Sequence, residues 1–221
     1  MLSLALETSQ REASVALRID DQTTERVLDP SKAHASDCLS LFAELVSDNG
    51  LTPQDIDRVF VGVGPGSYTG LRIGIATALG LARGSGAGLR GEASGEALMW
   101  RELQVGEEGV YLLDARQAQL YFAHYRRTET DVEIISPPAV LSPSEAHKML
   151  PQDARLFGDR KALEIAEASE EALARFVESR PPSAGALLDL GARRFDSHGG
   201  QKLENVGPLY LRPFQAKIRK R

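Results

Sequence analysis

At 221 residues and 42% hydrophobic content, the chain can bury one sizeable core or two small ones, and two small lobes are expected. Its 26 Lys and Arg against 31 Asp and Glu give a formal net charge of -5, which argues against a protein that grips nucleic acid alone through a basic surface; any RNA contact is expected to be shared with a partner. Cys38 is the only cysteine, no basic leader precedes the first apolar run, and no stretch of 18 apolar residues occurs, so a soluble, unprocessed, cytoplasmic protein with no internal disulfide and no membrane contact is expected.

In chain order, Leu2 to Glu7, Ala13 to Ile19 and a third run ending near Leu28 predict an antiparallel meander, the first pair joined by Thr8-Ser9-Gln10-Arg11. From His34 to Asn49 the period changes: Cys38, Leu41, Phe42, Leu45 and Val46 form one apolar helical face that Gly50 stops. Thr52-Pro53-Gln54-Asp55 starts a short helix, with cap, proline and acid in order. Val59 to Val63 reads as a strand.

That strand runs straight into Gly64-Pro65-Gly66-Ser67-Tyr68-Thr69-Gly70-Leu71-Arg72-Ile73-Gly74. Gly62, Gly64 and Gly66 permit positive φ and Pro65 stiffens the turn, so a rigid strand-to-helix connection and an anion-cradling loop are both open readings. Named glycine motifs fail here. A dinucleotide loop needs glycine where Ser67 stands, a Walker loop needs a lysine that is missing, and a nucleophile elbow needs glycines where Pro65 and Thr69 stand. Ser67 and Thr69 can cap the helix that follows, and capping is the expected role of Ser67. The following helix carries Gly70, Gly74, Ala78 and Ala82 at four-residue spacing, a strip that can face either the protein's own sheet or another subunit.

Gly84 to Gly91 is glycine-rich, Glu92 to Leu103 reads as helix, and Gly106-Glu107-Glu108-Gly109 marks the lobe boundary, giving lobes of 1–105 and 106–221. Val110 to Leu113, Gln119 to Tyr125 and Val132 to Ile135 predict a second meander, with Asp114-Ala115-Arg116 as its first turn and Ser142-Pro143-Ser144-Glu145 as a capping box. Ala162 to Val177 and Ser183 to Phe195 read as helices, the second ended by His198-Gly199-Gly200. Two meander-then-helix units suggest a duplicated α/β lobe, although no residue-level repeat is visible. The Arg126-Arg127 pair and the tail with Arg212, Lys217, Arg219, Lys220 and Arg221 read as solvated surface.

Leu4-Ala5-Leu6-Glu7-Thr8-Ser9, Ser14-Val15-Ala16-Leu17, His34-Ala35-Ser36, the glycine segment 64–74, Asp114-Ala115-Arg116 and Pro208-Leu209-Tyr210-Leu211-Arg212 together resemble the TsaB (YeaZ) family from end to end. The resemblance implies an actin-like ATPase (ASKHA) fold of two lobes, each a mixed sheet with helices. It also implies a non-catalytic subunit that dimerises with TsaD and, with TsaE and downstream of TsaC, supports threonylcarbamoyl transfer to the adenosine beside the anticodon of ANN-decoding tRNAs. The tRNA would be met only through the complex, and a homodimer would form in the partner's absence. By the same resemblance the interface uses N-lobe helices, here Cys38, Leu41, Phe42, Leu45, Gly70, Arg72, Gly74 and Ala78.

Catalytic TsaD relatives carry a metal-spaced histidine pair, whereas His34, His124, His147 and His198 are far apart here, so no catalytic residue, no bound metal and no metalloprotease activity are expected. The resemblance implies nucleotide-binding candidates at Glu7, Thr8, Ser9 and Asp114. Glu7 stands where relatives commonly keep Asp, and its extra methylene moves the carboxylate by about 1.5 Å, enough to disturb a magnesium site. Stable ATP or magnesium binding is therefore not expected. A stand-alone ASKHA-type ATP-dependent phosphotransferase is the alternative that the glycine loop and the two acidic hairpins motivate.

Overall fold

The structure, a computed structural model, describes residues 1–28 and 37–211. The expected helix start at His34-Ala35-Ser36 and the basic tail from Arg212 lie outside the described residues.

The first sheet contains β1 (Leu2–Glu7), β2 (Ser14–Ile19), β3 (Gln22–Val27), β4 (Arg58–Gly62) and β5 (Gly88–Glu92) in the order β3-β2-β1-β4-β5. The first three strands run antiparallel, while β1, β4 and β5 run parallel. Alternation divides β1 between two faces. Leu2, Leu4 and Leu6 join a cluster with Phe42, Leu45 and Val46 of α1 (Cys38–Asp48) and Leu71, Ile75 and Ala78 of α2 (Tyr68–Ser85). Ala5, with Ala16 and Phe60, packs against Ala184, Leu187 and Leu188 of α7 (Ala184–His198).

The second sheet, β6 (Glu108–Asp114), β7 (Leu120–Arg127), β8 (Val132–Leu141) and β9 (Arg155–Gly158), has the order β8-β7-β6-β9. It is antiparallel across β6, β7 and β8 and parallel between β6 and β9, so it repeats the first sheet with one strand fewer. One face packs on the short helices α4 (Pro143–Met149), α5 (Arg160–Ile165) and α6 (Glu170–Ala174); the other packs on Leu98 and Met99 of α3 (Ser94–Glu102). The duplicated two-lobe α/β architecture expected from the sequence is therefore present.

Local chemistry sets the ends of these elements. Ser67 accepts the Gly70 N–H at 3.2 Å and Ser183 accepts that of Ala186 at 3.3 Å, each capping its helix. Thr52 and Asp55 form the expected box, the Thr52 N–H meeting Asp55 at 2.8 Å, and Ser142 with Glu145 does the same.

Four readings need correction. Gly88–Glu92 is a strand: a side chain at Gly88 would meet Phe195, and one at Gly91 would meet Val63 and Val206, so these glycines admit neighbours rather than mark a loop. Arg155–Gly158 forms β9, a four-residue strand too short to show a period. The single helix expected over 162–177 is two, broken where Glu167 takes a positive φ of 50°. Finally α7, assigned by sequence to the lobe 106–221, packs on the first sheet and beside α3, so the chain returns to the lobe where it began. No helix among the described residues is long and apolar enough to cross a membrane.

Candidate functional site

Every residue of the first hairpin loop that was a nucleotide candidate is engaged inside the first lobe. Glu7 is fully buried, its Oε1 accepting the Ser9 N–H at 2.6 Å, and it lies against Gly62, where any Cβ would collide with the carboxylate. The Thr8 hydroxyl donates to the Gly70 carbonyl at 2.8 Å. The Ser9 carbonyl accepts the Ser67 N–H at 2.7 Å, and Gly66 leaves room only for that carbonyl. The glycines of the loop are thus explained chiefly by close approach. Among Gly62, Gly64 and Gly66, only Gly64 uses the left-handed region, at φ 99°.

The second hairpin presents Asp114, which accepts the Arg116 N–H at 2.8 Å and Lys161 Nζ at 2.9 Å. Lys161 holds its carboxyl below the ordinary range, helped by the Arg116 N–H. The Asp114 N–H in turn donates to Asp159 at 3.1 Å. Asp159 shares a cavity with Gln10 of the first hairpin and with Tyr111 and Leu113 of β6. That cavity measures about 50 Å³, room for one or two waters, whereas a pocket for a drug-sized ligand occupies roughly 300–1,000 Å³. Glu7, Thr8, Ser9 and Asp114 do not line that cavity. Among the described residues, no group of three or more His, Cys, Asp or Glu could hold a metal. His124 sits 2.8 Å from Glu108, while His147 and His198 approach backbone carbonyls of their own surroundings; His34 lies outside the described residues.

A charged seam that sequence reasoning missed crosses the junction. Arg194 of α7 binds Glu92 of β5 at 2.6 Å, Glu96 of α3, and Asp131 in the β7–β8 turn at 2.7 Å. Burial disfavours the Arg194 charge, but Glu96 and Glu92 outweigh it and raise its pKa; burial likewise pushes Glu96 up, opposed by Arg194. These residues lie on four separate elements, and no local spacing connects them.

The expected partner-facing residues divide by side. Cys38, Phe42, Leu45, Gly70, Gly74 and Ala78 are interior, and Leu41 is half-buried. Gly74 abuts the Thr8 side chain and Gly70 the Thr8 carbonyl. Burial pushes the Cys38 thiol up to about 11. The small-residue strip therefore faces the protein's own hairpin, a correction to its expected intersubunit role. Arg72 alone of that set is exposed. Its Nε donates to the Tyr210 hydroxyl at 2.8 Å and its guanidinium lies 4.0 Å from the Tyr68 ring centre. The same outer side of α2 carries exposed Ala76, Gly80 and Gly84, and nothing lies within 4 Å of a Cβ built at either glycine. A second four-residue spacing in the same helix was the available signal for this face.

Comparison with known proteins covers up to 96% of the chain. The family model for TsaD, tRNA N6-adenosine threonylcarbamoyltransferase, matches residues 29–179. The Haemophilus influenzae tRNA threonylcarbamoyladenosine biosynthesis protein TsaB is 32% identical, over 95% of this chain and 92% of its own. Its Escherichia coli namesake is 28% identical, over 96% and 95%. Among solved structures, a Pseudomonas aeruginosa protein described as similar to the peptidase YeaZ superposes with a TM-score of 0.81 at 26% identity, covering 96% of this chain and 99% of its own.

Proposed function

The chain belongs to the TsaB family, within the TsaD-type family whose model matches most of its length, and on that premise we propose that it serves tRNA threonylcarbamoyladenosine biosynthesis as a non-catalytic subunit. A TsaD-like protein supplies the catalytic centre, a TsaE-like protein joins them, and tRNA of the ANN-decoding class is met only through the assembly. One observation carries the non-catalytic part of this reading. The Thr8 hydroxyl and the Ser9 carbonyl bond to α2 and the glycine loop, Glu7 Oε1 accepts the Ser9 N–H, and the Glu7 carboxylate is buried against Gly62, which supports a first hairpin packed on its own lobe rather than presented to a nucleotide.

The partner surface in this reading is the outer side of the first lobe's helices. Leu39 on α1 is 52% exposed, and Tyr68 and Tyr210 are 40% and 49% exposed around Arg72, a composition enriched at protein interfaces. Ala76 and Gly80 beside them allow a partner's helix to approach closely. A homodimer through the same face substitutes when the partner is absent.

Threonylcarbamoyl transfer to tRNA, measured in a mixture of the organism's TsaC-like, TsaD-like and TsaE-like proteins with and without this chain, tests the reading. Activity is expected only in its presence. Unchanged activity on omission, together with calorimetric binding of magnesium-ATP to the isolated chain, would replace the subunit reading with the phosphotransferase alternative.

A further inference from the structure

The chain passes between its lobes twice. The first crossing is α3, between β5 and β6; the second is the segment 178–183, which leads from the bridge between Phe176 and Leu156 to α7 on the first sheet. Both ends of that segment are anchored. The Val177 N–H donates to the Leu156 carbonyl at 2.8 Å, and the Ala184 N–H to the buried Ser14 hydroxyl at 2.8 Å. In between, Pro181 and Pro182 have no N–H to offer, and the carbonyls of Arg180 and Pro181 accept from the guanidinium of Arg101 on α3 at 2.6 and 3.1 Å. Glu102 accepts from Arg101 Nε at 2.8 Å and so orients that fork. Arg101 thus joins the two crossings to each other. Cross-lobe contacts continue along α3, where Glu96 and Trp100, four residues apart, share a side. Glu96 meets Arg194 of α7, which also reaches Asp131 of the β7–β8 turn, while the Trp100 ring centre lies 5.0 Å from the guanidinium of Arg193 of α7 and 3.3 Å from that of Arg127 of β7.

The segment 178–183 also borders two cavities. Arg180, Pro181 and Pro182 line, with Gln10, Tyr111 and Asp159, a space of about 50 Å³ and, with Glu12, Glu25 and Arg101, another of about 180 Å³. The ties between the lobes differ in depth: the side chains of Arg194 and Glu96 are 15% and 8% exposed, that of Arg101 28%. A charge pair as buried as Arg194 and Glu96 is costly to break, whereas a partly exposed arginine can exchange a carbonyl for water. We propose that Arg101 is a latch between the lobes. Fastened, it holds the segment 178–183 beside the first hairpin and fixes the lobes at one angle. Released, it lets that segment move away and the two cavities merge, while the Arg194 seam keeps the lobes joined.

Spin-label distances across the lobes test the latch in the full chain. Cys38, the single native cysteine, is buried and its thiol is pushed up to about 11 by that burial, so labels go to cysteines introduced at exposed Gln22 of β3 and exposed Gln152 between α4 and β9. With Arg101 in place one narrow distance peak is expected, and Arg101→Met should broaden or displace it. Amide exchange at Val177 and Ala184, the two anchors, should be about tenfold faster or more in Arg101→Met, with the central amides of β1 and β6 unchanged. A folded Arg101→Met chain with the native distance peak, or with native exchange at both anchors, would overturn the proposal, as would a native chain whose peak is already broad. If Arg101→Met does not fold, Arg101→Lys, which keeps the charge but lacks the fork that spans two carbonyls, is read by the same two measurements.

Discussion

The two sides of α2 carry the same kind of residue and do opposite things. On the inner side Gly70, Gly74 and Ala78 are buried against the first hairpin and sheet, and a side chain at Gly74 would strike Thr8. On the outer side Ala76, Gly80 and Gly84 recur at the same spacing, exposed, with open space beyond both glycines. The fold explains the inner glycines completely. It does not require the outer ones, and glycine inside a helix costs about 1 kcal/mol relative to alanine. In the proposed function the helix keeps small residues for its own sheet on one side and for a partner on the other, and only the environment tells the two sides apart.

The largest test of that contrast is Gly74→Leu. A leucine there must displace Thr8 and with it the contact to the Gly70 carbonyl, so a loss of about 3 kcal/mol or more is expected, read as failure to fold or a collapsed unfolding midpoint. A folded Gly74→Leu protein of native stability would show that the inner strip is not packed as described. Ser67→Ala removes the cap that serves the whole helix and should cost about 1 kcal/mol in denaturant unfolding. It leaves both sides equally affected and so calibrates the other variants. Gly80→Ala should have the opposite sign, adding roughly 0.5–1 kcal/mol to stability because its Cβ meets nothing. Gly80→Leu sharpens the contrast further: folding should be preserved while co-purification with the TsaD-like partner is lost. Retained pairing would move the partner surface off α2.

Much of this architecture is legible in the residues. The leucines of β1 alternate, the apolar positions of α1 recur with helical spacing, and Thr52, Ser67, Ser142 and Ser183 start helices because capping needs only a hydroxyl close in sequence to an unpaired N–H. The resemblance to the TsaB family is equally local, carried by short motifs in order. What stayed illegible depended on partners distant along the chain. Gly88 and Gly91 look like loop residues until Phe195 and Val206 arrive from the C-terminal segment to fill the space above them. Residues 184–198 form a helix by their own pattern, but their docking on the first sheet is decided by Ala5, Ala16 and Phe60, over a hundred positions earlier in sequence. The Arg194 seam joins four elements, and the packed state of Glu7, Thr8 and Ser9 follows from the fit of one hairpin against a helix. Sequence periodicity determined which faces are apolar or small, because backbone geometry repeats locally. Tertiary packing alone decided what each face meets, because burial depends on which surfaces the folded chain brings within contact distance.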